Sequence, residues 1–156
     1  MRRLVPLLLL LGTPPPADGR LMRAFTFTEL RNDADLIAIA MPIAVRETAE
    51  RAPLPNIRRV DRRGKEAPVM GAGVETEFII LTVLKGDATL QKFVLHHYRE
   101  AEPEQVSRNG PGLLSFEPKQ KKAFLLFLKR AADGRYTAVS GQTDPDISVR
   151  ELGGYV

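Results

Sequence analysis

The sequence predicts a mainly β fold, a small antiparallel barrel of five to six strands with one short N-terminal helix. Two observations support this fold class. Short runs of β-branched and aromatic residues recur along the chain, and turn-forming residues follow most of them. A capping-box signal near residue 27 predicts the one short helix.

The clearest strand candidate is the stretch 77–87, which reads Glu-Phe-Ile-Ile-Leu-Thr-Val-Leu-Lys-Gly-Asp. Branching at Cβ favours extended structure at Ile79, Ile80 and Val83, and Gly86 supplies turn chemistry at the end. Because the apolar residues are nearly continuous, we expect both faces of this strand to be covered by other parts of the protein. A strand of that kind belongs to the core and carries no catalytic residue.

The helix prediction rests on Thr26 and Glu29. They fit the capping box S/T-x-x-E, in which each side chain accepts a hydrogen bond from the backbone N–H of the other residue. We expect a short helix over about residues 27–32. A strand then follows over 36–41 and continues beyond Pro42, which cannot donate to a strand ladder and therefore predicts an edge, a bulge or a bend.

The segment at about 50–73 has a different character. It is rich in Pro and Gly, and no apolar periodicity survives in it. We predict a long exposed loop, and loops of this length are commonly functional or disordered.

The remaining strands are predicted from later apolar runs. They are expected over residues 92–99, 113–116, 123–128 and 135–140, with a last short strand or helical turn over 147–150. A hairpin turn is indicated at Asp133-Gly134, between the third and fourth of these runs. The nearest named architecture is the OB barrel, a five-stranded, partly open Greek-key barrel.

Residues 1–19 have the organisation of a secretory signal peptide. Arg2 and Arg3 precede a short apolar run, and a Pro-rich stretch with small residues follows it. The apolar run is too short to span a bilayer, which needs about 20 residues. We therefore expect an exported protein, periplasmic or secreted, in which residues 20–156 form a single domain.

The composition excludes several chemistries. The chain has no Cys, which removes thiol catalysis, thiolate zinc sites and iron–sulfur clusters. It also has no Trp and only 6% aromatic residues, which argues against a stacking platform for sugars or bases. Without residues 1–19 the chain carries 21 basic and 18 acidic residues, a mild excess that does not imply nucleic acid. No dinucleotide, P-loop or hydrolase motif is present, and we predict no cofactor and no metal.

The order of features resembles that of small OB-like domains of exported bacterial proteins. The resemblance rests on short motifs over about residues 26–141, namely Ala34-Asp35, Leu84-Lys85-Gly86, Phe124-Leu125-Leu126-Phe127-Leu128 and Asp133-Gly134-Arg135-Tyr136. This pattern is distantly similar to the netrin-module and tissue-inhibitor-of-metalloprotease barrel, and it implies a fold more than a function. The animal members use disulfides and an N-terminal Cys to inhibit proteases, so their mechanism does not apply to a chain without Cys.

Two regions are candidates for ligand contact. The first is the basic run 58–65 within the predicted loop, where an OB barrel commonly binds ligands. The second is the rim of the 92–99 strand. The candidate residues are Arg58, Arg59, Arg62, Arg63, Lys65, His97 and Tyr98.

His96 and His97 are neighbours on the same predicted strand. They should therefore point to opposite faces, one towards solvent and the other towards a barrel rim, and cannot share a metal ion from one side. A catalytic role would require a positioned partner that the sequence does not name.

We expect an exported, non-enzymatic binding module of the cell envelope or extracellular space. A protein or an envelope component is the favoured partner, and nucleic acid is not. One alternative is an anion, nucleic-acid or glycan binder that uses the basic run. A lower alternative is a hydrolase with an unrecognised site.

Overall fold

The computed structural model describes residues 24–60, 64–101, 112–142 and 147–153. Strands make up 61% of these residues, so the protein is mainly β, as the sequence predicts. The predicted signal peptide, residues 1–19, lies outside the described residues, and so do Arg62 and Arg63 of the basic run.

One α-helix, α1, spans Phe27–Asp33 and begins with the predicted capping box. The backbone N–H of Glu29 donates to Thr26 Oγ1 at 3.2 Å, and the N–H of Thr26 donates to Glu29 Oε2 at 2.7 Å. The helix buries Leu30 against Ile37 and Phe127, which fixes it on the sheet.

The sheet contains six strands, β1 Leu36–Val60, β2 Glu66–Lys85, β3 Lys92–Glu100, β4 Ala123–Arg130, β5 Tyr136–Ala138 and β6 Val149–Leu152. A 3-10 helix, Pro118–Gln120, precedes β4. Leu113 forms an isolated β-bridge. Counted with the six strands, it gives seven paired segments among the described residues, more than the five or six strands predicted.

The strand pairings form a cycle that begins and ends at β1. β1 pairs with β2, β2 with β3, β3 with β5, β5 with β4, and β4 again with β1. The β3–β5 pairing, at Leu95 and Tyr136, is parallel, so the prediction of purely antiparallel pairing is wrong at this point. β4 also pairs with β6, and Phe124, Leu125 and Leu126 pair with β1 and with β6 on opposite edges of β4.

The predicted loop at about 50–73 is wrong, because nearly all of this segment belongs to β1 and β2. The two strands pair from Arg51↔Ala72 to Val60↔Glu66, with one register shift, and we call this part of the hairpin the arm. A small cluster of Leu54, Ile57 and Val69 packs within the arm. The sequence pattern did not reveal it because register shifts and Pro residues interrupt the period of two on which strand prediction relies.

The main core lies on one face of the sheet. Phe78 stacks on Phe93 with ring centroids 5.1 Å apart, and Leu95, Leu126 and Leu128 surround this pair. The opposite face of β1, β2 and β3 does not contribute to this core. We call it the outer face.

Candidate functional site

The outer face is defined by the alternation of side chains along β2. Val74, Thr76 and Phe78 are buried on the core side. Their neighbours Glu75 and Glu77 point the other way, because successive side chains of a strand alternate between faces. An open pocket of about 300 Å³ on this side is lined by Ala44, Arg46, Glu75, Glu77 and Val94.

Apolar residues continue this face towards the end of β2. Ile79 is 37% exposed and Leu81 is 50% exposed, whereas Ile80 between them packs against the core. Met41 of β1 lies directly opposite Ile79. We call Met41, Ile79 and Leu81 the apolar row. The expectation that both faces of this strand are covered is therefore wrong among the described residues.

Towards the arm, the outer face carries interlocking charged and aromatic side chains. We call Arg46, Glu50, Glu75, His96, Tyr98 and Arg135 the polar cluster. They come from β1, β2, β3 and the turn that leads into β5, so only the folded sheet brings them together. The sequence identified Tyr98 as a candidate and missed the other five.

Glu50 lies at the centre of the polar cluster. The Tyr98 hydroxyl donates to Glu50 Oε1, and His96 Nε2 lies 3.0 Å from Glu50 Oε2. The His96 contact lies within ion-pair distance but falls short of hydrogen-bond geometry. Arg135 Nη1 is 3.9 Å from the same carboxylate oxygen. Three side chains from other elements therefore face this carboxylate.

A β-bulge places Glu50 in this position. Glu47 pairs with Val74 and Arg51 pairs with Ala72, so residues 48–50 of β1 stand opposite the single residue Gly73. A Cβ on Gly73 would lie 2.5 Å from Thr48 Oγ1 and 3.0 Å from Glu50 Cβ. The absence of a side chain at Gly73 therefore leaves room for the bulge and for its carboxylate.

Tyr98 and Glu50 shift each other's pKa in opposite directions. The hydrogen bond from Tyr98 lowers the pKa of the Glu50 carboxyl, an effect that burial partly opposes. Burial, followed by the bond to Glu50, raises the pKa of Tyr98 to about 12. Tyr98 therefore remains a neutral donor and Glu50 a charged acceptor at neutral pH.

Glu75 forms the second centre of the cluster. Arg46 Nε donates to Glu75 Oε2 at 2.8 Å, and Arg135 Nη1 donates to Glu75 Oε1 at 3.1 Å. The hydrogen bond from Arg46, and to a smaller extent that from Arg135, holds the pKa of the Glu75 carboxyl below its usual range. Asp133 Oδ2 also lies 2.6 Å from Arg135 Nη2, so several carboxylates share this guanidinium.

His97 does not lie where the sequence predicted. It is 3% exposed and His96 is 7% exposed, so the expectation that one of the two faces solvent is wrong. His97 Nε2 lies 2.8 Å from Thr76 Oγ1 on the core side. Burial lowers the pKa of His97 to about 4, an effect that the Leu114 backbone opposes. The side chain is therefore neutral and cannot contact a ligand at the surface.

The basic run is only partly described. Arg58 is exposed, and its Nε lies 3.9 Å from Glu66 Oε2 across the arm. Arg59 lies in β1 opposite Ala67, and Lys65 is exposed beside the turn at Gly64. Anion binding through this run stays a prediction, and the negative charge of Glu66 offsets the positive charge of Arg58 at the end of the arm.

Two further features are absent from the described ranges. No group of three or more His, Asp and Glu residues there is arranged to hold a metal ion. Among the same residues, no helix combines the length and the apolar character needed to cross a bilayer.

No protein-family model matches the chain, and no curated protein matches it at a significant level.

Proposed function

We propose that the protein is an exported, non-enzymatic binding module that recognises a protein partner through its outer face. The single observation that carries this proposal is the apolar row lying beside the polar cluster on one exposed sheet surface. Exposed apolar surface with a polar border is a common mark of protein–protein contact sites.

The composition of the outer face supports a protein partner. Tyr and Arg are enriched in protein interfaces, and Tyr98, Arg46 and Arg135 are all present here. The pocket beside Glu75 is small and open, whereas small-molecule sites enclose most of their ligand. A broad contact with another protein fits this shape better than a small ligand does.

The charges of this region do not favour nucleic acid. Basic and acidic side chains alternate in ion pairs across the outer face and the base of the arm. The basic residues are Arg46, Arg51, Lys92, Arg99 and Arg135, and the acidic residues are Glu47, Glu50, Glu75, Glu77 and Asp133. Because the two sets balance, the surface does not attract a phosphate backbone by net charge.

The cyclic order of strand pairings supports an OB-like barrel as the framework of this module. In OB barrels the ligand face is formed by strands 2 and 3, together with the loops after strands 1 and 4. The polar cluster lies on β2 and β3, with Glu50 from β1 and Arg135 from the turn after β4 on either side. The proposed site therefore occupies the part of the fold that such barrels commonly use.

Site-specific photo-crosslinking tests the proposal. A photoreactive phenylalanine analogue replaces Leu81, the whole chain is produced in its native host, and the periplasmic and extracellular fractions are irradiated. We expect a discrete adduct of higher mass, because Leu81 is 50% exposed within the apolar row of the proposed contact surface.

The control places the same analogue at Lys119, which is exposed in the 3-10 helix before β4, outside the apolar row and the polar cluster. An equal adduct at both positions, or none at position 81, would contradict recognition through the outer face. Recovery of the protein only from the cytoplasm would contradict the export part of the proposal.

A further inference from the structure

We propose that Tyr98, His96 and Arg135 form a binding site for a carboxylate, which the chain's own Glu50 occupies and for which a carboxylate of the partner competes. This inference rests on the proposed function, because it names the chemical group that the partner presents to the polar cluster. The competing group is an Asp or Glu side chain or a C-terminal carboxylate.

The three residues offer complementary chemistry to a carboxylate. The Tyr98 hydroxyl donates to one oxygen of Glu50, and His96 Nε2 lies 3.0 Å from the other. Arg135 adds a guanidinium 3.9 Å from the second oxygen. Charged and neutral donors directed at two oxygens of one group are the usual way in which proteins bind carboxylates.

His96 is the strongest evidence that this site can accept a different occupant. The residue is 93% buried, and its Nε2 has no hydrogen bond of normal geometry, although it points at Glu50. A buried polar atom without such a bond is destabilising. A carboxylate that reaches His96 Nε2 at a better angle than Glu50 therefore forms the hydrogen bond that Glu50 does not form.

Glu50 is also well placed to leave. It belongs to the bulge 48–50, none of whose residues pairs with β2, so its departure breaks no β1–β2 pairing. Its side chain is 39% exposed and can turn into solvent. The arm beyond it keeps its own small cluster of Leu54, Ile57 and Val69.

Neighbouring carboxylates limit the affinity of the site. Asp133 and Glu75 both contact Arg135, at 2.6 Å and 3.1 Å, and their charges oppose a second anion. We therefore expect a free carboxylate to bind weakly, in the millimolar range, whereas a carboxylate held in place by a docked partner binds more strongly.

Chemical rescue with acetate tests the site. Glu50→Ala removes the internal carboxylate, and the melting temperature of this variant is measured against sodium acetate, with sodium chloride at equal ionic strength. We expect acetate to raise the melting temperature of Glu50→Ala more than that of the wild-type protein, whose site is occupied. Glu50→Ser serves in the same experiment if the Ala variant does not fold.

The matched control is Glu47→Ala, which removes another ion-paired carboxylate of β1 outside the site. The double variant Glu50→Ala/Tyr98→Phe removes the hydroxyl donor and should lose the response to acetate. If acetate stabilises all variants equally, or none of them, the carboxylate site is overturned.

The source of the carboxylate is tested with the photoreactive analogue at position 81. If a partner's carboxylate competes with Glu50, the adduct yield rises in the Glu50→Ala background. An unchanged yield together with acetate rescue overturns the partner as the source and assigns the site to a free small carboxylate. An adduct at position 81 without acetate rescue overturns this inference while the proposed function stands.

Discussion

Single residues on β3 differ sharply in environment although they are neighbours in sequence. His97 lies on the core side against Thr76, whereas Tyr98 reaches Glu50 on the outer face. The alternation itself was predictable from the strand pattern. Which histidine meets a carboxylate was not, because Glu50 comes from a bulge 46 residues earlier than His96.

We predict that His97 makes the stability of the protein depend on pH. Its pKa is about 4 in the folded protein against an ordinary value of 6.5. The unfolded chain therefore binds a proton below pH 6.5, while the folded chain does so only near pH 4. The free energy of unfolding should fall by about 2 kcal/mol between pH 7 and pH 5 through this residue.

Urea unfolding of the wild-type protein and of His97→Gln at both pH values measures this effect. The variant should show the smaller change with pH. The lowered carboxyl pKa of Glu50 and Glu75 does not confuse the comparison, because that stabilisation is lost only below the ordinary Glu value of 4.5. An equal change in both proteins would show that His97 is not the titrating group.

At the scale of the element, β3 has a partner that is not a strand. β5 pairs with β3 only at Leu95. Beyond that point, the Gln142 side chain donates from Nε2 to the His96 carbonyl at 3.2 Å. Its Oε1 accepts from the Tyr98 N–H at 3.0 Å. The amide therefore satisfies the edge of β3 as one residue of a neighbouring strand would.

We predict that Gln142→Ala lowers the free energy of unfolding by about 1–3 kcal/mol, because it removes the partners of two backbone groups. Urea unfolding measures the loss, and hydrogen exchange of the Tyr98 amide should become faster. Gln91→Ala is the control, since the Gln91 amide makes only a 3.4 Å bond to the Thr89 carbonyl. Equal losses in the two variants would refute the role given to Gln142.

Among the elements, the strands over β3 and β4 and the start of α1 were predictable from local signals. Their apolar runs and the capping box depend on neighbouring residues alone. The arm was not predictable, because its pairing is interrupted by register shifts and its cluster of Leu54, Ile57 and Val69 has no simple period. Similarly, the apolar residues of β2 indicated a strand but not that Ile79 and Leu81 remain exposed.

At the scale of the whole molecule, Phe116 connects parts of the sheet that are distant in sequence. Its ring makes edge-to-face contacts with Phe78 of β2, Phe124 of β4 and His97 of β3. The ring centroids are 5.0–5.3 Å apart. A segment that is almost without strand structure thus contributes a central part of the core.

We predict that Phe116→Ala destabilises the protein by about 3–5 kcal/mol, the usual cost of removing a buried Phe. Equilibrium unfolding in urea measures the change. Phe27→Ala provides the comparison, because Phe27 is 60% exposed and contacts a single ring, Phe127. A loss at Phe116 no larger than that at Phe27 would contradict its place in the core.

The sequence by itself determined the mainly β class and the start of the helix. Its lack of Cys also excluded the chemistries that depend on thiols. These features follow from composition and from short-range patterns, which physical rules connect directly to local structure. The tertiary structure decided which side chains meet on the outer face. Strand register and a three-residue bulge opposite Gly73 bring Glu50 to His96 and Tyr98, and these depend on pairings between distant parts of the chain.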